Sequence, residues 1–194
     1  GSPEFRTSGS GMDLRPKLLN FYNCSQIKVS GITLRNSAKW VSHYFGCSDI
    51  LIQNITIDSW TNANNDGIDI DCCTDVRIIN CKISSGDDAI CLKSTANRPT
   101  KNIVIGNCLL RTGHGAFKIG TETVGNIQNV TISNCVVDSA GGGVKILCMD
   151  GAAIRYINIS DMTMQNVEMP FFIRLGSRLN LYHEGREKKT TGSI

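Results

Sequence analysis

Three short segments carry the residues best suited to hydrolytic chemistry: Asn65-Asp66-Gly67, Asp87-Asp88-Ala89 and His114-Gly115-Ala116. Three carboxylates held close together cannot all ionise cheaply, so at least one is expected to keep a proton near neutral pH. A protonated carboxyl beside an ionised one is the pair that inverting glycoside hydrolysis needs. One donates to the leaving oxygen and the other activates a water, with the two roughly 6.5–9.5 Å apart. Asp and Gly are also ordinary turn residues, and clustered Asp can bind calcium through hard oxygens. What the segments do therefore depends on whether the chain brings them together.

An internal repeat does so. Six strand-like triplets begin at Ile27, Ile50, Val76, Ile103, Val130 and Ile157, separated by 23, 26, 27, 27 and 27 residues. A turn column follows (Gly31, Asn54, Asn80, Asn107, Asn134, Asp161), then an apolar one (Leu34, Ile57, Ile83, Leu110, Val137, Met164). A last strand gives Ile68, Ile90, Phe117, Val144 and Phe171. Apolar residues alternate with others at period two, and Val, Ile and Thr dominate, which favours strands over a helical solenoid. The expected fold is all-β: a right-handed, single-stranded parallel β-helix of about six coils that share one continuous core. The Asn column predicts an amide ladder between coils.

The register then places the chemistry. Asp66 and Asp88 each precede their column member by two residues, and Asp87 and His114 precede theirs by three. Asp66, Asp87, Asp88 and His114 should converge on three adjacent coils. Lys118 and Lys145 follow their column residues by one and should point outward.

Bulk composition excludes several classes. The net charge of +3 across 194 residues is too small to argue for nucleic acid. No apolar run approaches the roughly 18 residues of a membrane span. Residues 1–11, small and polar, are expected to be a vector-derived leader, 12–176 the β-helix core, and 177–194 a loop or frayed tail leading to another coil. The nine cysteines include no CxxC pair, so a zinc site is disfavoured. Cys81, Cys108 and Cys135 share one column and Cys24, Cys47 and Cys73 another, which reads as buried reduced thiols, with disulfides between stacked coils as the alternative.

Together, Asn64-Asn65-Asp66-Gly67, Gly86-Asp87-Asp88, Gly113-His114-Gly115 and Val144-Lys145-Ile146-Leu147 resemble, in order, the four motifs of glycoside hydrolase family 28, the polygalacturonase and rhamnogalacturonan hydrolase family. The resemblance covers most of residues 13–176 and reads as an internal fragment. It implies inverting hydrolysis of a pectic or related polysaccharide or oligosaccharide without a metal or other cofactor. By motif position Asp87 is the general acid, Asp66 and Asp88 hold and activate water, and His114 tunes the acid or holds substrate. Lys145, Lys118 and Lys93 are the candidate substrate-binding residues.

The family's fourth motif is usually Arg-Ile-Lys. Lys145 stands at the Arg position, losing bidentate geometry, and Leu147 at the Lys position cannot pair with a carboxylate. A substrate other than plain polygalacturonate follows. Ile119-Gly120-Thr121-Glu122 resembles a stretch of the exo-acting and plant-like branches. The resemblance also implies a secreted, periplasmic or cell-surface setting, and uncapped solenoid ends offer surfaces for self-association. The rivals are a polysaccharide lyase and a non-catalytic carbohydrate-binding β-helix.

Overall fold

The computed structural model describes residues 15–177 and 191–194. The expected leader, 1–11, lies outside the described residues, as does 178–190 of the expected tail. The first coil contributes β1 (Leu19–Tyr22), β2 (Ser25–Ser30) and β3 (Thr33–Arg35). The second contributes β4 (Ser42–Phe45), β5 (Ser48–Gln53) and β6 (Thr56–Ser59), and the third β7 (Ile68–Asp71), β8 (Thr74–Ile79) and β9 (Lys82–Ser85). After β10 (Ile90–Ser94) and β11 (Thr100–Gly106), strands run unbroken around the corners: β12 (Leu109–Thr123), β13 (Ile127–Cys148) and β14 (Ile154–Val167). Then β15 (Phe171–Leu175) ends the series. The described residues include no helix.

Every named strand pairing is parallel, and the registers are those of the sequence columns. Ile27 pairs with Ile50, Ile50 with Val76, Val76 with Ile103, Ile103 with Val130, and Val130 with Ile157. On the third face Ile68, Ile90, Phe117, Val144 and Phe171 stack in turn. The chain is thus a parallel β-helix whose inward Ile, Val and Leu form one buried core. Ser193 forms a parallel bridge with Ala153, so the final residues also find a stacking partner.

The corners explain the turn columns. Gly31, Asn54, Asn80, Asn107, Asn134 and Asp161 all take left-handed backbone, with φ between 52° and 68°, a conformation that Gly and Asn adopt most readily. Their amides form the expected ladder: Asn134 donates to Asn107 at 2.7 Å and Asn107 to Asn80 at 3.2 Å. A second left-handed column, Gln26, Asp49, Asp75, Asn102, Asn129 and Tyr156, carries a shorter ladder from Asn129 through Asn102 to Asp75.

All nine cysteines are free thiols. Six of them behave as ladder members. Cys24, Cys47, Cys73, Cys81, Cys108 and Cys135 each donate to the carbonyl two residues earlier, at 3.2–3.4 Å. The sulfurs of Cys47, Cys73 and Cys135 also accept the backbone N–H of the preceding coil's cysteine, at 3.3–3.4 Å. A small polarisable thiol thus fills the corner and answers its backbone at once.

Candidate active site

The site lies on the outer side of the sheet built from β1, β4, β7, β10, the middle of β12, the end of β13, and β15. Ile68 and Ile70 point into the core, so Asp69 and Asp71 between them face outward. Cross-coil register then stacks residues that are unlike except for one lysine pair: Asn20, His43, Asp69, Cys91, Lys118, Lys145 and Phe172 succeed one another.

Asp66 and Asp88 are 3% and 2% exposed. One oxygen of each, with the Cys91 sulfur, forms a group whose members lie within 4.8 Å of one another. Asp88 is tightly held: its Oδ1 accepts the Gly115 N–H at 2.9 Å and its Oδ2 accepts Lys118 Nζ at 2.6 Å. A Cβ at Gly115 would stand 2.9 Å from Asp88 Oδ1, so any larger residue there would displace that carboxylate. Asp87 is half-buried and its Oδ1 accepts the Asp88 N–H at 2.8 Å. Its carbonyl accepts the hydroxyls of Ser85 and Thr112. Backbone bonds lock the segments together: Gly67 N–H to Asp88 O at 2.8 Å, and Ala89 N–H to Gly115 O at 2.8 Å.

The remaining sequence candidates separate by position. His114 is exposed, one coil beyond Asp87, with its backbone N–H held by Thr112 Oγ1 at 3.1 Å. Lys118 points out as expected, but onto Asp88. Lys145 is half-buried and lies across Gly142, whose missing side chain makes room for it. Lys93 is 4% exposed, and its Nζ sits 3.4 Å from Glu122, 3.5 Å from Asp69 and 3.7 Å from Asp66. Burial opposes the charge on Lys93, but Cys91, Asp69, Asp66 and Glu122 outweigh it and hold its pKa well above the usual lysine range. It is the counter-ion of the cluster rather than an open contact for sugar.

Burial, reinforced by Asp69, Asp87 and Asp88 and opposed by Lys93, pushes the Asp66 carboxyl well above the ordinary aspartate range. Burial likewise raises Asp69, against Lys93 and His43. Asp71 goes the other way. Burial would raise it, but His43 and Thr95 prevail and hold it low. Thr95 donates to both Asp71 oxygens, at 2.8 and 2.7 Å. Asp69, Asp71, His43 and Glu122 were not among the sequence candidates. The column arithmetic that found Asp66 also reaches Asp69, Asp71 and His43 when it is extended to outward positions and one coil earlier.

A cation between Asp66 and Asp88 would have to compete with ammonium groups already in place. Lys118 occupies one Asp88 oxygen and Lys93 stands beside Asp66. The third group, Cys91, is a soft ligand beside hard oxygens.

Fold and site define a parallel β-helix with clustered carboxylates on one outer sheet. The chain belongs to glycosyl hydrolases family 28, whose family model matches residues 6–178. A probable polygalacturonase of Vitis vinifera is 40% identical over 99 residues, which cover 47% of this chain and 20% of that protein. The structure of an exopolygalacturonase from Thermotoga maritima superposes with a TM-score of 0.78 at 29% identity, covering 85% of this chain and 39% of its own. A polygalacturonase from Erwinia carotovora ssp. carotovora gives 0.78 at 26%, covering 91% and 45%. The chain therefore spans a fifth of the plant relative and less than half of either bacterial structure.

Proposed function

We propose that the protein containing this chain hydrolyses O-glycosyl bonds of a pectic or related polysaccharide with inversion at the anomeric carbon. The observation that carries this is the proximity of Asp66 and Asp88, with Asp87 adjacent in sequence. Two oxygens within 4.8 Å can both hydrogen-bond a single water between them. Asp87, half-buried, donates the proton to the leaving oxygen from the side of the sugar opposite that water. His114 holds substrate from the next coil, with Lys118 and Lys145 fixing the floor and Lys93 placing Asp66. A polymer outside the cell implies a secreted, periplasmic or surface protein. Leu147, at a position where the family usually has a cation, favours a substrate other than unsubstituted polygalacturonate.

One observation favours exchanged roles. Asp66 is the carboxyl raised by its surroundings, so it can instead be the donor and Asp87 the base. Activated aryl glycosides, which need no acid, separate the two: turnover returns in the variant lacking the acid and stays lost in the one lacking the base. A lyase is disfavoured because it needs an unprotonated base, whereas Lys93 and Lys118 are both held above the usual lysine range, by Cys91 and their partner carboxylates working against burial.

The test uses the full-length protein. Asp87→Asn should reduce reducing-sugar release by orders of magnitude while binding persists, and NMR of the first product should find the inverted anomer. A retained anomer, or an unsaturated product absorbing in the ultraviolet, would exclude inversion.

A further inference from the structure

Trp60, the first residue after β6, is 46% exposed, yet its ring is fixed from several sides. Its Nε1–H donates to Ser84 Oγ at 2.8 Å. The Arg111 guanidinium stands 5.8 Å from the ring centre. One edge of the indole lies close over Gly113, where a Cβ would come within 3.6 Å of it. An exposed aromatic ring that is already immobilised loses little freedom when a ligand arrives.

The ring stands over a different sheet from the one that bears the carboxylates. Ser84 and Arg111 are outward residues of β9 and of the start of β12, which continue the sheet begun by β3 and β6. Their inward neighbours are Ser85 and Thr112, whose hydroxyls hold the Asp87 carbonyl. The same two strand ends therefore brace the indole on one side and Asp87 on the other. The outward column beside Arg111 reads Thr33, Thr56, Lys82, Leu109 and Val136. It turns apolar at Leu109 and Val136, 43% and 41% exposed, on the coil of Arg111 and the next one. An aromatic face, apolar neighbours and one planar donor together suit a pyranose, which offers a C–H face and hydroxyl oxygens.

The corner between this surface and the carboxylates is bare. Gly86 precedes Asp87, and Gly113 precedes His114. A Cβ at Gly86 would stand 3.5 Å from Trp60 Cα, and one at Gly113 would stand 2.5 Å from Gly86 O. Without side chains at these positions, a ligand can approach the backbone closely. A sugar chain held at Asp87 thus has an open path over the corner to the indole.

We propose that Trp60 and Arg111 form a polysaccharide-holding platform outside the carboxylate-bearing sheet, where a pyranose of a long chain stacks on the indole and Arg111 donates to its oxygens. It rests on the hydrolase function above and adds a dependence on chain length. A polymer engages the platform and the carboxylates together, which raises its apparent affinity, whereas a short oligosaccharide engages the carboxylates alone.

The experiment measures kcat and KM of the full-length protein on polygalacturonate and rhamnogalacturonan, and on trisaccharides prepared from each. Wild type is compared with Trp60→Ala, Trp60→Tyr and Arg111→Met, and thermal melting checks that each variant folds. Arg111 is exposed, so its variant carries the test should Trp60→Ala fail to fold. On the polymer that the wild type cleaves, Trp60→Ala should raise KM roughly 10-fold with kcat unchanged, and leave trisaccharide kinetics unaltered. Trp60→Tyr should restore most of the polymer affinity, and Arg111→Met should give a smaller loss confined to the polymer. An unchanged polymer KM in folded variants, or an equal loss on polymer and trisaccharide, overturns the platform while hydrolysis stands. A wild type that releases reducing ends from neither polymer overturns pectic hydrolysis itself and the platform with it.

Discussion

The corners of this solenoid and its outer, carboxylate-bearing sheet obey one stacking rule with opposite results. At the corners, like lies on like: Asn80, Asn107 and Asn134 exchange amide bonds, and cysteine sulfurs accept the N–H of the coil before. Around the carboxylates on the sheet, unlike lies on unlike: His43 on Asp69, Asp69 on Cys91, Cys91 on Lys118. Repetition lets every polar group find its copy's partner, which yields stability. Broken repetition leaves groups such as Asp69, 0% exposed and served mainly by Lys93 at 3.5 Å. Their charge is costly, and that cost perturbs proton affinities. Strain of this kind concentrates where function does.

The widest separation between the two regions is kinetic. Asp87→Asn in the full-length protein should lower turnover by about 100- to 10,000-fold, measured as reducing-sugar release, with its melting temperature nearly unchanged. Corner variants should leave turnover intact.

Lys93→Met should be the costliest sheet variant for stability. It leaves Asp66 and Asp69 buried without their counter-ion, a loss of about 3–5 kcal/mol, readable in urea denaturation. Asn107→Ala breaks two ladder bonds, and it also puts Ala at a φ of 56°. It should cost about 1–2 kcal/mol and leave activity alone, with Asn107→Gly recovering the backbone part.

The smallest effect is a pH slope of defined sign. Asp66 and Asp69 are raised, foremost by burial, so the folded state binds their protons more tightly than the unfolded state does. Their contribution is complete below the unfolded carboxylate value of about 3.9 and is lost as pH rises through the raised folded values. Asp71, held low by His43 and Thr95 despite burial, contributes in the opposite sense and loses its share on acidification. Melting temperatures across pH should therefore show Asp66→Asn gaining stability over the wild type towards neutral pH, while Asp71→Asn loses it.

Much of this was legible from the repeat. A period near 27 residues fixes which side chains lie above which, so the registers of Ile50, Val76 and Phe117, and the meeting of Asp66 with Asp88, follow from counting. The rest depends on direction and burial. Lys93 reads in sequence as an outward lysine available to sugar, yet the strand sinks it among Glu122, Asp69 and Asp66. Asp69 and Asp71 look like the polar half of a surface strand, and only Lys93 beside the first and Thr95 on the second reveal that they are covered. Charge compensation is a property of three coils at once, and no single motif contains it.

The most direct test is a crystal structure of the full-length protein carrying Asp87→Asn with a bound oligosaccharide of the polymer that the wild type cleaves. The scissile oxygen should lie within hydrogen-bond reach of residue 87, with one water shared by Asp66 and Asp88 on the opposite side of the sugar ring. A sugar chain seated on another sheet, with no contact to these three positions, would contradict the hydrolytic assignment.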